Sequence, residues 1–203
     1  MTVETRRYEK KRRAELEAET RRRITESAME LHGTVGPSRT SISAVAERAG
    51  VRRSTVYRHF PDETALFTAC STHFAETNPL PDLASWESIP DPDERLRVAL
   101  DQLYGYYRRT ESMMDNLHRD ELTMPVIRRM FTPFRDYLSA ARETLARGRA
   151  ARGRRRDELR AAIGHALAFT TWRSLTREQG LDDSQTVELM RELVAAAGRG
   201  ASH

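Results

Sequence analysis

The segment from Ile42 to Phe60 constrains the fold more than any other part of the chain. Counting Ile42 as the first residue, Ala46 falls at five, Gly50 at nine and Val56 at fifteen. This is the spacing of two short helices that cross through a tight turn. Ala46 has to be small where the second helix crosses the first. Gly50 stands just past the first helix, where the backbone turns left-handed and a Cβ is penalised. Val45 and Val56 fill the contact between the helices. The second helix then offers Arg52, Arg53, Ser54, Thr55, Tyr57, Arg58 and His59 to solvent. A short helix so rich in hydrogen-bond donors suits the major groove of DNA, with its first residues nearest the base edges.

Charge follows the same division. The first 60 residues carry 14 Arg and Lys against 8 Asp and Glu, while the remainder is slightly acidic. Basic charge gathered in one part of a chain points to a polyanionic partner for that part. Lys10 and Lys11 are the only lysines, so arginine supplies nearly all of it. The single cysteine, Cys70, excludes an internal disulfide framework and any multi-cysteine metal site. No apolar run approaches the eighteen or so residues of a membrane span, and no secretory pattern opens the chain. A soluble, cytoplasmic protein is expected.

Period-2 alternation is missing and helical periodicity is widespread, so the fold class is all-α. The first 23 residues, through Arg21-Arg22-Arg23, mix nine cations with five Glu, and an exposed helix or frayed helical arm is expected there. Apolar spacing starts at Ile24, Ala28 and Leu31 and stops at Gly33, Gly36 and Pro37. Asp62 is the expected N-cap of a helix carrying Ala65, Leu66, Ala69, Cys70 and Phe74 on one face. Pro79, Pro81, Pro90 and Pro92 mark residues 78–92 as a linker or ordered loop. Leu96 to Tyr107 reads as a helix, followed by a less regular stretch. A long helix is expected from Ile127 to Leu145, then a mobile polar connection over residues 147–156. A helix apolar nearly all round follows from Leu159 to Leu175. The last helix carries Val187, Met190, Leu193 and Val194, and the tail from Gly198 is expected to be disordered. The domains read as 1–61 (arm and three-helix DNA-binding domain), 62–78 (connector helix) and 79–203 (ligand-binding and dimerisation domain).

The runs Ile42-Ser43-Ala44-Val45-Ala46-Glu47-Arg48-Ala49-Gly50-Val51 and Thr55-Val56-Tyr57-Arg58-His59-Phe60-Pro61-Asp62, followed by Ala65-Leu66-Phe67, resemble the tetracycline-repressor (TetR) family. The resemblance covers residues 21–67 and extends beyond them only in helix order. It implies a homodimer bound to a palindromic operator in double-stranded DNA, as a repressor released by a small-molecule inducer. It also implies that Thr40, Ser41, Thr55, Tyr57 and His59 face phosphates, and that Arg53, with Ser43, Arg52 and Ser54, faces base edges. Arg53 is the first choice for reading guanine bidentately. The chain departs from the family pattern at three positions. Arg52 replaces a frequent capping Ser, His32 a frequent Phe, and Glu63 a frequent phosphate-contacting Lys.

In the 159–175 run, small residues on one face allow close helix approach. Such a face suits either a larger monomer core or a partner helix; the stretch from Gly164 to Val194 resembles the family's final two helices, and that resemblance implies a dimer interface at Gly164, Ala168, Thr171, Leu175, Val187, Met190 and Val194. A ligand pocket is expected among Trp86, Tyr104, Tyr107, Met113, Met114, Leu117, His118, Met130, Phe131, Phe134, Phe169 and Trp172, since aromatic and Met side chains suit an adaptable apolar cavity. The six histidines are scattered, and no phosphate-cradling loop, nucleophile elbow or His-Glu-x-x-His is present, so neither an enzyme nor a cofactor or metal is expected. The alternatives are a helical protein-interaction module and a non-specific DNA-binding protein.

Overall fold

In the computed structural model, which describes residues 3–199, the chain forms two compact units, and no strand occurs among the described residues. The first comprises residues 1–78 and 112–130, the second 79–111 and 131–203.

In the first unit, α1 (Val3–Thr34) is followed by a single 3₁₀ turn (Pro37–Arg39), α2 (Ile42–Arg48), α3 (Arg53–His59) and α4 (Glu63–Thr77). Ile24 and Ala28 on α1 meet Val45, Ala46 and Ala49 near α2, Val56 on α3, and Leu66 and Cys70 on α4 in one buried cluster. Removing a side chain of Ile24's size from such a cluster costs about 2–5 kcal/mol. Burial pushes the Cys70 thiol up to about 12, so it is a core residue rather than a nucleophile. Gly36 ends the α1 region with φ +95°. The last turns of α6 (Pro92–Asp120) and all of α7 (Pro125–Met130) complete this unit.

The second unit contains α5 (Leu83–Glu87), the first part of α6, α8 (Thr132–Ala146), α9 (Arg154–Leu167), α10 (Phe169–Arg173), a wider π-turn (Ser174–Glu178) and α11 (Asp183–Gly198). Helices α8 and α11 both pack on α9. Arg95 is buried and donates to the carbonyls of Ile89, Pro90, Thr144 and Arg147, which closes the C-terminal end of α8.

Several expected elements differ. The Leu159–Leu175 helix is broken at Ala168, which is extended (φ −73°, ψ 133°). The carbonyls released by the break are taken by the buried hydroxyls of Tyr104 (to Ala166, 2.8 Å) and Tyr107 (to Leu167, 2.5 Å). The Ile127–Leu145 helix is split at Phe131, because Pro133 has no N–H to continue a ladder and favours a helix's first turn. The stretch after Tyr107 is regular after all, since α6 continues to Asp120. The 78–92 segment contains α5, capped by Asp82. The polar connection is anchored at Arg149, which donates to Asp93, to Pro92 O and to Leu145 O. The expected disordered tail is helical at Gly198 and beyond Arg199 lies outside the described residues.

Candidate nucleic-acid interface

The α2–turn–α3 unit is built from local rules. Ser41 caps α2 by accepting the N–H of Ala44 at 3.2 Å. Gly50 adopts φ +62°, and the turn closes with Gly50 N–H to Glu47 O (3.0 Å) and Val51 N–H to Ala46 O (2.9 Å). Helix α3 starts at an extended Arg52 whose side chain caps nothing, as the loss of the usual Ser predicts. Asp62 caps α4 through Ala65 N–H at 2.8 Å.

On this frame Ser41, Ser43, Arg52, Arg53, Ser54 and Tyr57 are exposed, and Thr40 and Thr55 are half-buried. Thr40 donates its hydroxyl to Gly36 O at 2.8 Å, so a phosphate contact requires that proton to turn away from Gly36. His59 differs from the rest. Its backbone carbonyl accepts from Arg21, and its Nε2 is buried with no partner. Burial, then the charges of Arg58 and Arg21, hold its pKa below the usual histidine value, so the ring is neutral at pH 7. Glu63 is exposed in the first turn of α4, where the helix dipole favours a carboxylate.

Arg21 was not singled out by spacing alone. Its guanidinium lies 4.1 Å over the Phe60 ring while donating to His59 O, and so fixes the end of α3. Its signal was present: Arg21 shares the helical stripe of Ile24 and Ala28. Asn116, which donates to the carbonyls of His32 and Gly33 at 3.0 Å each, had no such signal.

The pocket candidates divide between the two units. Tyr104, Tyr107, Phe134, Phe169 and Trp172 form one aromatic cluster in the second, where Tyr107 meets Phe169 at 5.3 Å and Trp172 at 5.9 Å between ring centroids. Phe131 joins it through Phe134. Trp86 is buried apart, against Tyr137, with its indole N–H on Gln102. Met113, Met114, Leu117, His118 and Met130 belong to the first unit. Of the interface candidates, Thr171, Val187, Met190 and Val194 are buried within this one chain, and Gly164, Ala168 and Leu175 are half-buried. The same α11 leaves Leu189 and Leu193 exposed, at 41% and 40%.

Residues 24–70 match the family described as bacterial regulatory proteins, tetR family. Over 50 residues the chain is 42% identical to the HTH-type transcriptional regulator AcrR of Shigella flexneri; this match spans 25% of the chain and 23% of that relative's length. Among solved structures, a Clostridium perfringens protein described as a fatty acid metabolism regulator aligns with a TM-score of 0.63 at 16% identity, covering 85% of this chain and 97% of that one. A TetR-like transcriptional regulator from a Rhodococcus species aligns with a TM-score of 0.63 at 16% identity, covering 87% and 93%. At that identity the structural likeness carries the fold alone, and the first unit carries the sequence signature. Residues 24–70 thus carry the signature of the tetR family of bacterial regulatory proteins, and the chain as a whole has the fold of the TetR-like structures it matches.

Proposed function

We propose that the chain is a repressor that binds a palindromic DNA operator as a homodimer and releases it when a small molecule occupies residues 79–203. The observation that carries this reading is α3, which exposes Arg52, Arg53, Ser54, Tyr57 and Arg58 within seven residues. A helix that short is about 10 Å long and reads only a few base pairs. Two copies in successive major grooves, roughly 34 Å apart, give a site of useful length. Arg53 reads a guanine edge, while Thr40, Ser41, Thr55 and Tyr57 hold the flanking phosphates, and His59, whose Nε2 is buried, does not. The inducer binds in the aromatic cluster around Tyr107, and residues 62–78 pass its effect to the spacing of the two α3 helices. Release requires that the inducer bind the non-reading state more tightly.

Selection of bound duplexes from a random library tests this, with Arg53→Ala alongside. A palindrome whose preference relaxes at one position per half-site in the variant is expected. Binding without a motif that weakens with salt marks a non-specific DNA protein instead, and no binding at all leaves a protein-interaction module.

A further inference from the structure

Beneath the loop between α1 and α2 lies a cavity of about 250 Å³. Its lining combines apolar Val45, Leu66 and Phe67 with the polar residues His32, Thr40, Ser41 and Glu63. No lysine or arginine lines it. His32 is 5% exposed and stacks on Phe67 with centroids 4.9 Å apart, yet neither ring nitrogen has a hydrogen-bond partner among the described residues. Neither nitrogen is among the buried atoms without a partner, so both stay open to solvent and can offer an acceptor to a ligand in the cavity.

We propose that this cavity is a binding site for a small organic cation, a primary ammonium on an apolar body. The ammonium sits between the Glu63 carboxylate and the free nitrogen of His32, and the body lies on Phe67 and Leu66. The His32 ring is neutral near pH 7, since burial holds its pKa at about 4 against the opposing charge of Asp120, so it accepts from the ammonium rather than repelling it. The volume is below the roughly 300 Å³ at which drug-sized pockets begin, so the ligand is small. The site also has a consequence that rests on the proposed function. Thr40 and Ser41 are assigned there to phosphates, and Glu63 adds a negative charge beside them. A cation at Glu63 cancels that charge, so the ligand acts as a co-repressor that tightens DNA binding.

The full-length protein is titrated by calorimetry with 2-phenylethylamine, the neutral 2-phenylethanol and the anionic phenylacetate. Saturable binding of one amine per chain is expected, with the alcohol roughly tenfold weaker, as loss of a charge-assisted hydrogen bond implies. Glu63→Gln removes the preference for the amine, and His32 imidazole NMR signals shift on binding. Glu63 is exposed, so this variant folds as the parent does, which thermal melting checks. Equal binding of the three probes, binding indifferent to Glu63→Gln and silent at His32, or no saturable binding at millimolar concentration each overturns the assignment. DNA affinity measured with the amine separates the two readings. Amine binding without any DNA binding leaves the cavity assigned and removes the repressor. DNA binding that the bound amine does not tighten removes only the co-repressor role.

Discussion

Asp120 accepts the backbone N–H of Ser38 at 2.9 Å across 82 residues of sequence, and is itself 2% exposed. Burial alone would raise the pKa of this carboxyl, but the hydrogen bonds from Arg119 and Ser38 outweigh it and hold the group below its usual value. The loop is shaped to receive this pair. A Cβ on Gly36 would fall on the Arg119 guanidinium and 2.8 Å from Asp120 Oδ2, in a backbone conformation that already favours glycine.

Asp120→Ala leaves the Ser38 N–H and Arg119 Nε without their partner, although the Arg119 Nη groups keep Asn116 and Val35 O, and is expected to destabilise the first unit by about 1–3 kcal/mol. Gly36→Ala is expected to cost a similar amount, from strain and from displacing the pair. The two costs should not add, because the pair that Gly36→Ala displaces is already broken by Asp120→Ala. Urea denaturation of both single variants and the double variant checks this. Additive losses would mean that the loop and the pair act independently.

His32 makes stability depend on pH in a defined window. Unfolded, it takes a proton near its ordinary 6.5; folded, burial holds it at about 4. Between those values the unfolded chain binds more protons, so stability falls as pH drops from 6.5 to about 4 and is fully present above 6.5. The whole difference is about 3 kcal/mol. His32→Phe keeps the stack on Phe67 and is expected to flatten most of this slope, leaving the contribution of His59. Urea midpoints at pH 7.5, 6 and 5 read the difference directly, and an unchanged slope in the variant would assign it elsewhere.

The α2–α3 unit was legible because its rules are local. Ala46, Gly50 and Val56 each answer to a neighbour within a few residues, and all three occupy the expected roles. The break at Ala168 was not legible, because its cause lies about sixty residues earlier, in the hydroxyls of Tyr104 and Tyr107. Apolar spacing grouped Leu193 with Val187, Met190 and Val194, yet Leu193 is 40% exposed while the other three are buried, because spacing alone does not say what covers a stripe. The cavity beside His32 depends on residues from α1, α2, α4 and the α6–α7 turn, whose convergence no local pattern encodes.

The same break supplies a prediction. Tyr107→Phe removes a buried donor and leaves the Leu167 carbonyl unpaired, which is expected to cost about 1–3 kcal/mol. Tyr8→Phe, at a residue 67% exposed, serves as the control and should change stability very little. Thermal melts of both variants test it, and equal melting temperatures would show that the hydroxyl contributes nothing to holding the break.

Leu189 and Leu193 stand one helical turn apart on α11, at the edge of its buried stripe, and are 41% and 40% exposed. Two exposed leucines so placed suit the centre of a helix-pair interface between two copies. On the proposed homodimer reading, Leu189→Arg with Leu193→Arg is expected to give a monomer in sedimentation velocity where the parent sediments as a dimer, while leaving the circular dichroism unchanged. A dimer that survives both substitutions would place the interface on another face.

The arm offers the last prediction. Helix α1 begins at Val3, and its residues 7–19 are all exposed, with Tyr8 and Leu16 at 67% and 60%. Arg7, Lys10, Lys11, Arg12 and Arg13 crowd that segment, while Glu15 and Glu17 pair with Lys11 and Arg13 only at exposed i,i+4 positions, where an ion pair is worth a few tenths of a kcal/mol. These cations are therefore available to phosphates. Each phosphate they neutralise contributes about 0.9 to the slope of log affinity against log salt. Deleting residues 1–20 is expected to lower that slope by at least about one unit and to weaken binding equally on all sequences, because phosphate contacts carry no base information. The selected motif should be unchanged, since α3 is intact. Binding isotherms at several salt concentrations, run on the selected duplex and on a scrambled one, decide the matter: an unchanged slope excludes the arm from the DNA backbone, and a changed motif would mean that it reads bases.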